Sequence, residues 1–241
     1  LKDDPFILFR AVYDATRGRV CSRIMMRDDF FSSLPDLRII DFNEITQVMG
    51  TYHISRDNVQ LSQLKPFIRV LKEGLSFMMF PTRTRTRTGL FAEYRDGMDE
   101  PGGVSFFLAQ AQKGKNAVRP AVVPTTRTHN FATNKTVFVF GDPIYLSPEA
   151  TREEQRAFDF HLIEVLAELV EVNVPQIVSL ILYLRCLHNL TVDMTIRDLE
   201  KRVAQVFDTT KGRYIDPVVD EDLAGAVYGA LDFLESAGML Q

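Results

Sequence analysis

The stretch Phe77-Met-Met-Phe-Pro-Thr-Arg-Thr-Arg-Thr-Arg-Thr-Gly89 constrains this chain more than any other. An apolar run from Leu75 to Phe80, broken only by Ser76, stops at Pro81; a basic, hydroxyl-rich segment follows and Gly89 closes it. A buried strand that delivers arginines to a sheet edge is written this way, because strands buried on both faces are continuous apolar runs and proline ends them. If the segment stays extended, Arg83, Arg85 and Arg87 share one side, since side chains alternate with period two. The guanidinium fork suits bidentate contact with phosphate, which is the sharper reading; a solvated basic loop is the plainer one.

At 241 residues the chain fits one large domain, or a main domain with a smaller appendage. Its net charge of −4 argues against a general nucleic-acid binder, so any basic patch must be local. Cys21 and Cys186 make neither a metal spacing nor a disulfide framework, and read as two reduced thiols of a cytosolic protein. No run reaches the roughly 18 to 20 apolar residues that span a bilayer. The nearest, Val174 to Leu184, contains Pro175 and Gln176 and is too short. Leu1-Lys-Asp-Asp-Pro5 has no initiator methionine and no signal-peptide layout, so the chain reads as a fragment.

In chain order, Pro5 to Tyr13 suggests a helix with Asp3 and Asp4 in its first turn. Val20 to Met26, Leu37 to Phe42 and Gly50 to Arg56 read as short strands. Apolar residues at 61, 64, 67, 68 and 71 predict a helix over 61–72, ended by Gly74. A Gly-, Asp- and Pro-rich loop spans Tyr94 to Gly103, followed by a helix from Val104 to Lys113 and a short buried strand from Arg119 to Pro124. Thr136-Val-Phe-Val-Phe140 is the clearest strand. From Ser147, read as the cap of a long helical region, little strand signal follows, with breaks at Pro175, near Gly212 and at Pro217. The fold class expected is α/β, a mixed sheet flanked by helices over 1–146, with a helical extension over 147–241.

The order of these blocks resembles the glycerolipid acyltransferase family, which transfers a fatty acyl group to glycerol-3-phosphate or lysophosphatidate. Gly50-Thr-Tyr-His-Ile-Ser-Arg56 matches that family's strand of form Gly-x-x-x-apolar-x-Arg, which puts Arg56 on the arginine that holds the acceptor's phosphate. Leu71-Lys-Glu-Gly74 followed by Phe80-Pro-Thr-Arg-Thr-Arg-Thr-Arg-Thr-Gly89 matches the next block, Phe-Pro-Glu-Gly-Thr-Arg-Ser-Arg-Thr-Gly, through Pro81, Thr84, Arg85, Arg87 and Gly89. Ala121-Val-Val-Pro124 matches the family's strand with a central proline, and Gly141-Asp-Pro-Ile144 a later Gly-x-Pro-Ile. The resemblance covers roughly residues 4 to 145. The helical tail is similar to the region that follows the catalytic domain in glycerol-3-phosphate acyltransferases.

Two departures bear on activity. Thr82-Arg83 stands where the family carries Glu-Gly, which removes a carboxylate, adds a cation and replaces a small residue suited to close backbone approach. The family's His-x-x-x-x-Asp motif, a general base and its orienting acid, places the Asp at Asp4, with Asp3 one position away, and the His before Leu1. A helix-terminal acid is the alternative reading of Asp4. His188-Asn-Leu-Thr-Val-Asp193 fits the same pattern but follows the other blocks, and is read as a chance match. His53 beside Arg56 is read as a strand side chain, His129 as a loop residue and His161 as part of a helix face.

The resemblance implies an acyl thioester donor (acyl-CoA or acyl-carrier protein) and a glycerol-phosphate acceptor, with no metal and no cofactor. Arg56 and Arg85, joined by Arg87 and Arg83, would hold the phosphate. It also implies a peripheral position on the cytoplasmic face of a membrane, with Met25, Met26, Phe30 and Phe31 as a candidate contact surface or as core. The rival reading is a catalytically degenerate relative that binds a lipid phosphate or an acyl carrier. A third, an α/β domain whose basic loop binds a nucleotide, lacks a glycine-rich phosphate loop.

Overall fold

The protein is described here from a computed structural model covering residues 4–27, 50–54, 59–81, 102–188, 194–210 and 214–240. It divides into two compact units, the first Leu1–Val123 with Pro143–Glu164 and the second Pro124–Asp142 with Val165–Gln241. Sequence suggests a single division after residue 146.

The first unit opens with α1 (Asp4–Ala15), β1 (Arg23–Arg27), β2 (Thr51–Ile54), α2 (Leu61–Lys72), β3 (Phe77–Met78) and α3 (Val104–Ala111). Its three strands form a sheet in the order β2-β1-β3. Both pairings are parallel, with Ile24 opposite Thr51 on one side and Met78 on the other. The antiparallel strands lie in a separate sheet, so among the described residues no mixed sheet forms. Helix α2 occupies the 61–72 span that its apolar spacing predicts, burying Phe67 and Val70. Pro66 sits inside it, where the ring removes an N–H that would otherwise bond one turn back. The helix ends as expected at Gly74, whose φ of 74° is a left-handed conformation that costs glycine little. Gly74 N–H bonds to Leu71 and Leu75 N–H to Val70, each at 3.0 Å, the paired bonds of a Schellman ending.

The stretch read as a buried strand behaves differently. Only Phe77 and Met78 pair, both are half-buried, and Leu75 and Phe80 are 46% and 49% exposed. The reason is position: β3 borders the described sheet with β1 as its neighbour, so it is not enclosed as a central strand would be. Arg119 to Pro124 is also not a buried strand. It makes one isolated antiparallel bridge, Val122 to Ile144, with Val123 49% exposed and Pro124 buried.

In the second unit β4 (Thr125–Asn130) and β5 (Lys135–Phe140) form an antiparallel hairpin. Strand β5 is the one expected from Thr136 to Phe140; β4 is not foreseen, and it places His129 in a strand rather than a loop. The hairpin belongs to this unit because its inward face is polar and finds partners there. Thr126 Oγ1 donates to the Leu169 carbonyl at 2.8 Å, and Asn130 Nδ2 to Asp216 Oδ2 at 3.1 Å.

Helix α4 (Arg152–Leu169) starts four residues later than a cap at Ser147 suggests. Thr151 caps it instead, accepting from Glu154 N–H, while the Glu154 carboxylate accepts from Thr151 N–H and hydroxyl. The remaining helices are α5 (Val174–Leu187), α6 (Ile196–Thr209), α7 (Val218–Glu221) and α8 (Leu223–Ser236). Pro175 lies in the first turn of α5, where a missing N–H costs nothing, so the break falls just before it. Asn173 caps that helix, accepting from Gln176 N–H at 3.1 Å. Val178, Val203 and Val227, all fully buried, bring α5, α6 and α8 into one core.

Candidate functional site

A parallel sheet sends every strand's carboxyl end to the same edge, which is where open α/β sheets bind ligands. Here β2 and β3 flank β1 in parallel, so both run toward the same end of the sheet; Ile54 lies level with Arg27, and Met78, level with Ile24 and Thr51, stops three residues short of that level. Arg56 follows Ile54 by two residues, and Arg83 follows Pro81 by two. Arg56, Arg83, Thr84, Arg85, Arg87 and Gly89 themselves lie outside the described residues, as do Phe30 and Phe31.

Of the motif residues, Gly50 and Pro81 adjoin strands β2 and β3 of this sheet, whereas Pro124 belongs to the second unit. Gly50 precedes β2 with φ 83°, and a Cβ there would lie 2.7 Å from Arg23 Cδ and closer still to its guanidinium. The Arg23 side chain therefore occupies the space over the Gly50 backbone and would have to shift for a Cβ, while the positive φ itself favours glycine. Pro81 is half-buried just beyond β3, and its carbonyl accepts from Gly102 N–H at 2.6 Å. Pro124 is buried and opens the hairpin of the second unit, its carbonyl accepting from Gly141 N–H at 2.8 Å. Beside Gly50, Thr51 is 2% exposed and its hydroxyl oxygen has no hydrogen-bond partner among the described residues.

Asp4 is the first residue of α1, and its side chain lies outside the described part. Met25 is half-buried in the central strand β1, and the Met26 side chain lies outside the described part. His53 is half-buried in β2. His129 Nδ1 lies 2.9 Å from Thr136 Oγ1 across the hairpin, and His161 Nδ1 lies 3.6 Å from Glu164 Oε2 on α4. His188 is the exposed C-cap of α5, and Asp193 lies outside the described residues. Cys21 and Cys186 are exposed free thiols. Among the described residues no group of three or more potential metal ligands comes together, and no helix is long and apolar enough to cross a membrane.

Sequence reading passes over a buried acidic pair in the second unit. Glu171 and Asp216, each 6% exposed, flank the parallel bridge between Val172 and Ile215. Burial, then the Asp216 charge, pushes the Glu171 carboxyl above its ordinary range, with Lys135 partly offsetting this. A raised folded value means the native state holds this proton more tightly than the unfolded chain does. Its contribution is therefore present at low pH and is lost as pH climbs from about 4.5 through the folded value. Glu171→Gln should flatten that slope in urea titrations run from pH 4 to 8, and an unchanged slope would exclude Glu171 as its source. Only burial reveals this pair, since isolated acids in a sequence carry no such sign.

No family model, no curated protein and no solved structure matches the chain.

Proposed function

We propose that this chain binds a glycerol phosphate at the carboxyl edge of its parallel sheet, as part of an acyltransferase acting on glycerol-3-phosphate or lysophosphatidate. The observation that carries the reading is the parallel pairing of β2 and β3 on either side of β1. It directs the chain after Ile54 and the chain after Met78 toward the same end of the sheet, which supports a reading in which both segments serve one phosphate. Gly50, held at positive φ under Arg23, adds a reason for the glycine that begins the first of these segments.

In this reading Arg56 and Arg85, with Arg87 and Arg83, hold the phosphate through charge-assisted bonds and so place the acceptor hydroxyl against the thioester carbonyl. A general base, the histidine expected five residues before Asp4, takes the hydroxyl proton. The oxygen forms the new ester bond, the carbon–sulfur bond breaks, and the thiolate leaves and is protonated. The donor is an acyl-CoA or an acyl-carrier protein. Thr82-Arg83 specifically favours a second reading, a relative that keeps phosphate binding without turnover, because it lacks the carboxylate the family carries there.

The test is acyl transfer from a long-chain thioester to each acceptor, using the chain extended upstream through the expected histidine. Arg56→Ala should lower kcat/KM by about 10- to 100-fold, the loss of one charged hydrogen-bonding partner. Turnover that appears only with Thr82→Glu and Arg83→Gly together would select the binding relative for the natural sequence. Neither turnover nor phosphate binding dependent on Arg56 would overturn both readings.

A further inference from the structure

Helix α2 carries Lys65, Arg69 and Lys72 at i, i+4 and i+7, a spacing that lines them along one helical face. They border a surface groove of about 330 Å³, lined also by Ile68, Glu73 and Asn116. The loop after α3 is tied to this helix, because Lys72 Nζ donates to the Lys113 carbonyl at 2.6 Å. That bond brings Asn116, an amide donor, to the groove, and carries Lys113 and Lys115 on the same short loop.

The charge balance of the groove is uneven. Glu73 is the one acid among its described lining residues, and its carboxylate is engaged by Arg69 Nε at 2.7 Å. Lys65 and Lys72 have no acidic partner among the described residues. Cations in the last turn complement the helix dipole, which accounts for Arg69 and Lys72. It does not account for Lys65, which stands mid-helix four residues from Arg69, where like charges repel. The lysines, the remaining guanidinium N–H groups and the Asn116 amide are all donors converging on a volume that suits a small ligand.

We propose that this groove, lined by residues other than the arginine row at 83–87, is an anion site that binds a phosphate-bearing group, either free in solution or as a lipid headgroup. The site does not depend on the acyltransferase reading: it stands or falls on Lys65 and Asn116, whereas that reading stands or falls on Arg56.

The experiment titrates the full chain with inorganic pyrophosphate by calorimetry, and separately sediments it with phosphatidylcholine vesicles with and without phosphatidic acid. Pyrophosphate binding should weaken with added salt, as exposed charges are screened. Lys65→Glu should weaken it by about tenfold or more and Asn116→Ala by a smaller factor, while Lys65→Arg retains it. Lys65 is exposed, so its variants are expected to fold, and circular dichroism checks that. The titrations are repeated in an Arg85→Ala background, which weakens any phosphate binding at the arginine row, and the Lys65-dependent binding should persist there. Sedimentation that requires phosphatidic acid and Lys65, without pyrophosphate binding, identifies a lipid headgroup as the ligand and supports the site. In the Arg85→Ala background, binding to either probe that is insensitive to Lys65→Glu overturns it, as does no binding to both.

Discussion

Phe67→Ala should cost the first unit about 3–5 kcal/mol, the usual range for emptying a buried aromatic site. Phe67 is fully buried at the centre of an aromatic cluster. Its ring centroid lies 5.2 Å from Tyr52, 5.1 Å from Phe77 and 5.9 Å from Phe107. Those partners come from β2, β3 and α3, so one side chain from α2 joins both strands that lead to the proposed phosphate edge. Edge-to-face and tilted ring contacts of this kind add about 0.5–1.5 kcal/mol per pair to the burial itself. Against a whole-domain stability of roughly 5–15 kcal/mol the loss is large. Urea denaturation combined with amide exchange on β2 and α2 reads it out; a change below about 1 kcal/mol would mean the surrounding rings close the cavity. The same variant should lower Arg56-dependent binding, because the strand that precedes Arg56 loses its packing.

Asp159→Ala should be nearly as damaging, at about 3 kcal/mol, through hydrogen bonding instead of volume. Helix α3 starts after Gly103, which has no side chain to cap it. Asp159, 54 residues away on α4 and 7% exposed, supplies the acceptors. Its Oδ1 accepts from Ser105 N–H at 2.8 Å and its Oδ2 from the Ser105 hydroxyl at 2.6 Å. Alanine would leave both donors buried without that carboxylate, at about 1–3 kcal/mol each, and remove a negative charge from the positive end of the helix. Asp159→Asn keeps an oxygen for the N–H and should lose roughly half as much. Urea denaturation with exchange at the α3 amides separates the two variants. Equal losses would mean that the charge, not the acceptor geometry, carries the effect.

The α2 helix was legible in full because its apolar spacing and Gly74 both act within the helix itself. The hairpin was half legible. Strand β5 reads as Val-Phe-Val-Phe, but β4 is Thr-Thr-Arg-Thr-His-Asn, with Thr126, Thr128 and Asn130 as the buried alternates. An alternation of hydroxyls and amides registers in sequence as a polar loop, and becomes an inward face only when Leu169 and Asp216 are there to bond it. The start of α4 was misplaced for a related reason. Ser147-Pro and Thr151-x-x-Glu154 are both cap signatures, and here the one with a reciprocal carboxylate begins the helix.

The candidate site divides in the same way. From the sequence came the motif order, the end of α2 at Gly74 and the row of arginines, all set by side-chain chemistry and backbone stereochemistry a few residues at a time. Tertiary structure alone decided that β2 and β3 flank β1 in parallel, so that the chain after Ile54 and the chain after Met78 head toward the same end of the sheet. It alone seated Arg23 over Gly50, brought Asp159 to the start of α3 and enclosed Glu171 beside Asp216. Each of these joins residues far apart in the chain through burial and hydrogen bonding, and neither spacing nor composition encodes which distant partner a buried donor, charge or strand will find.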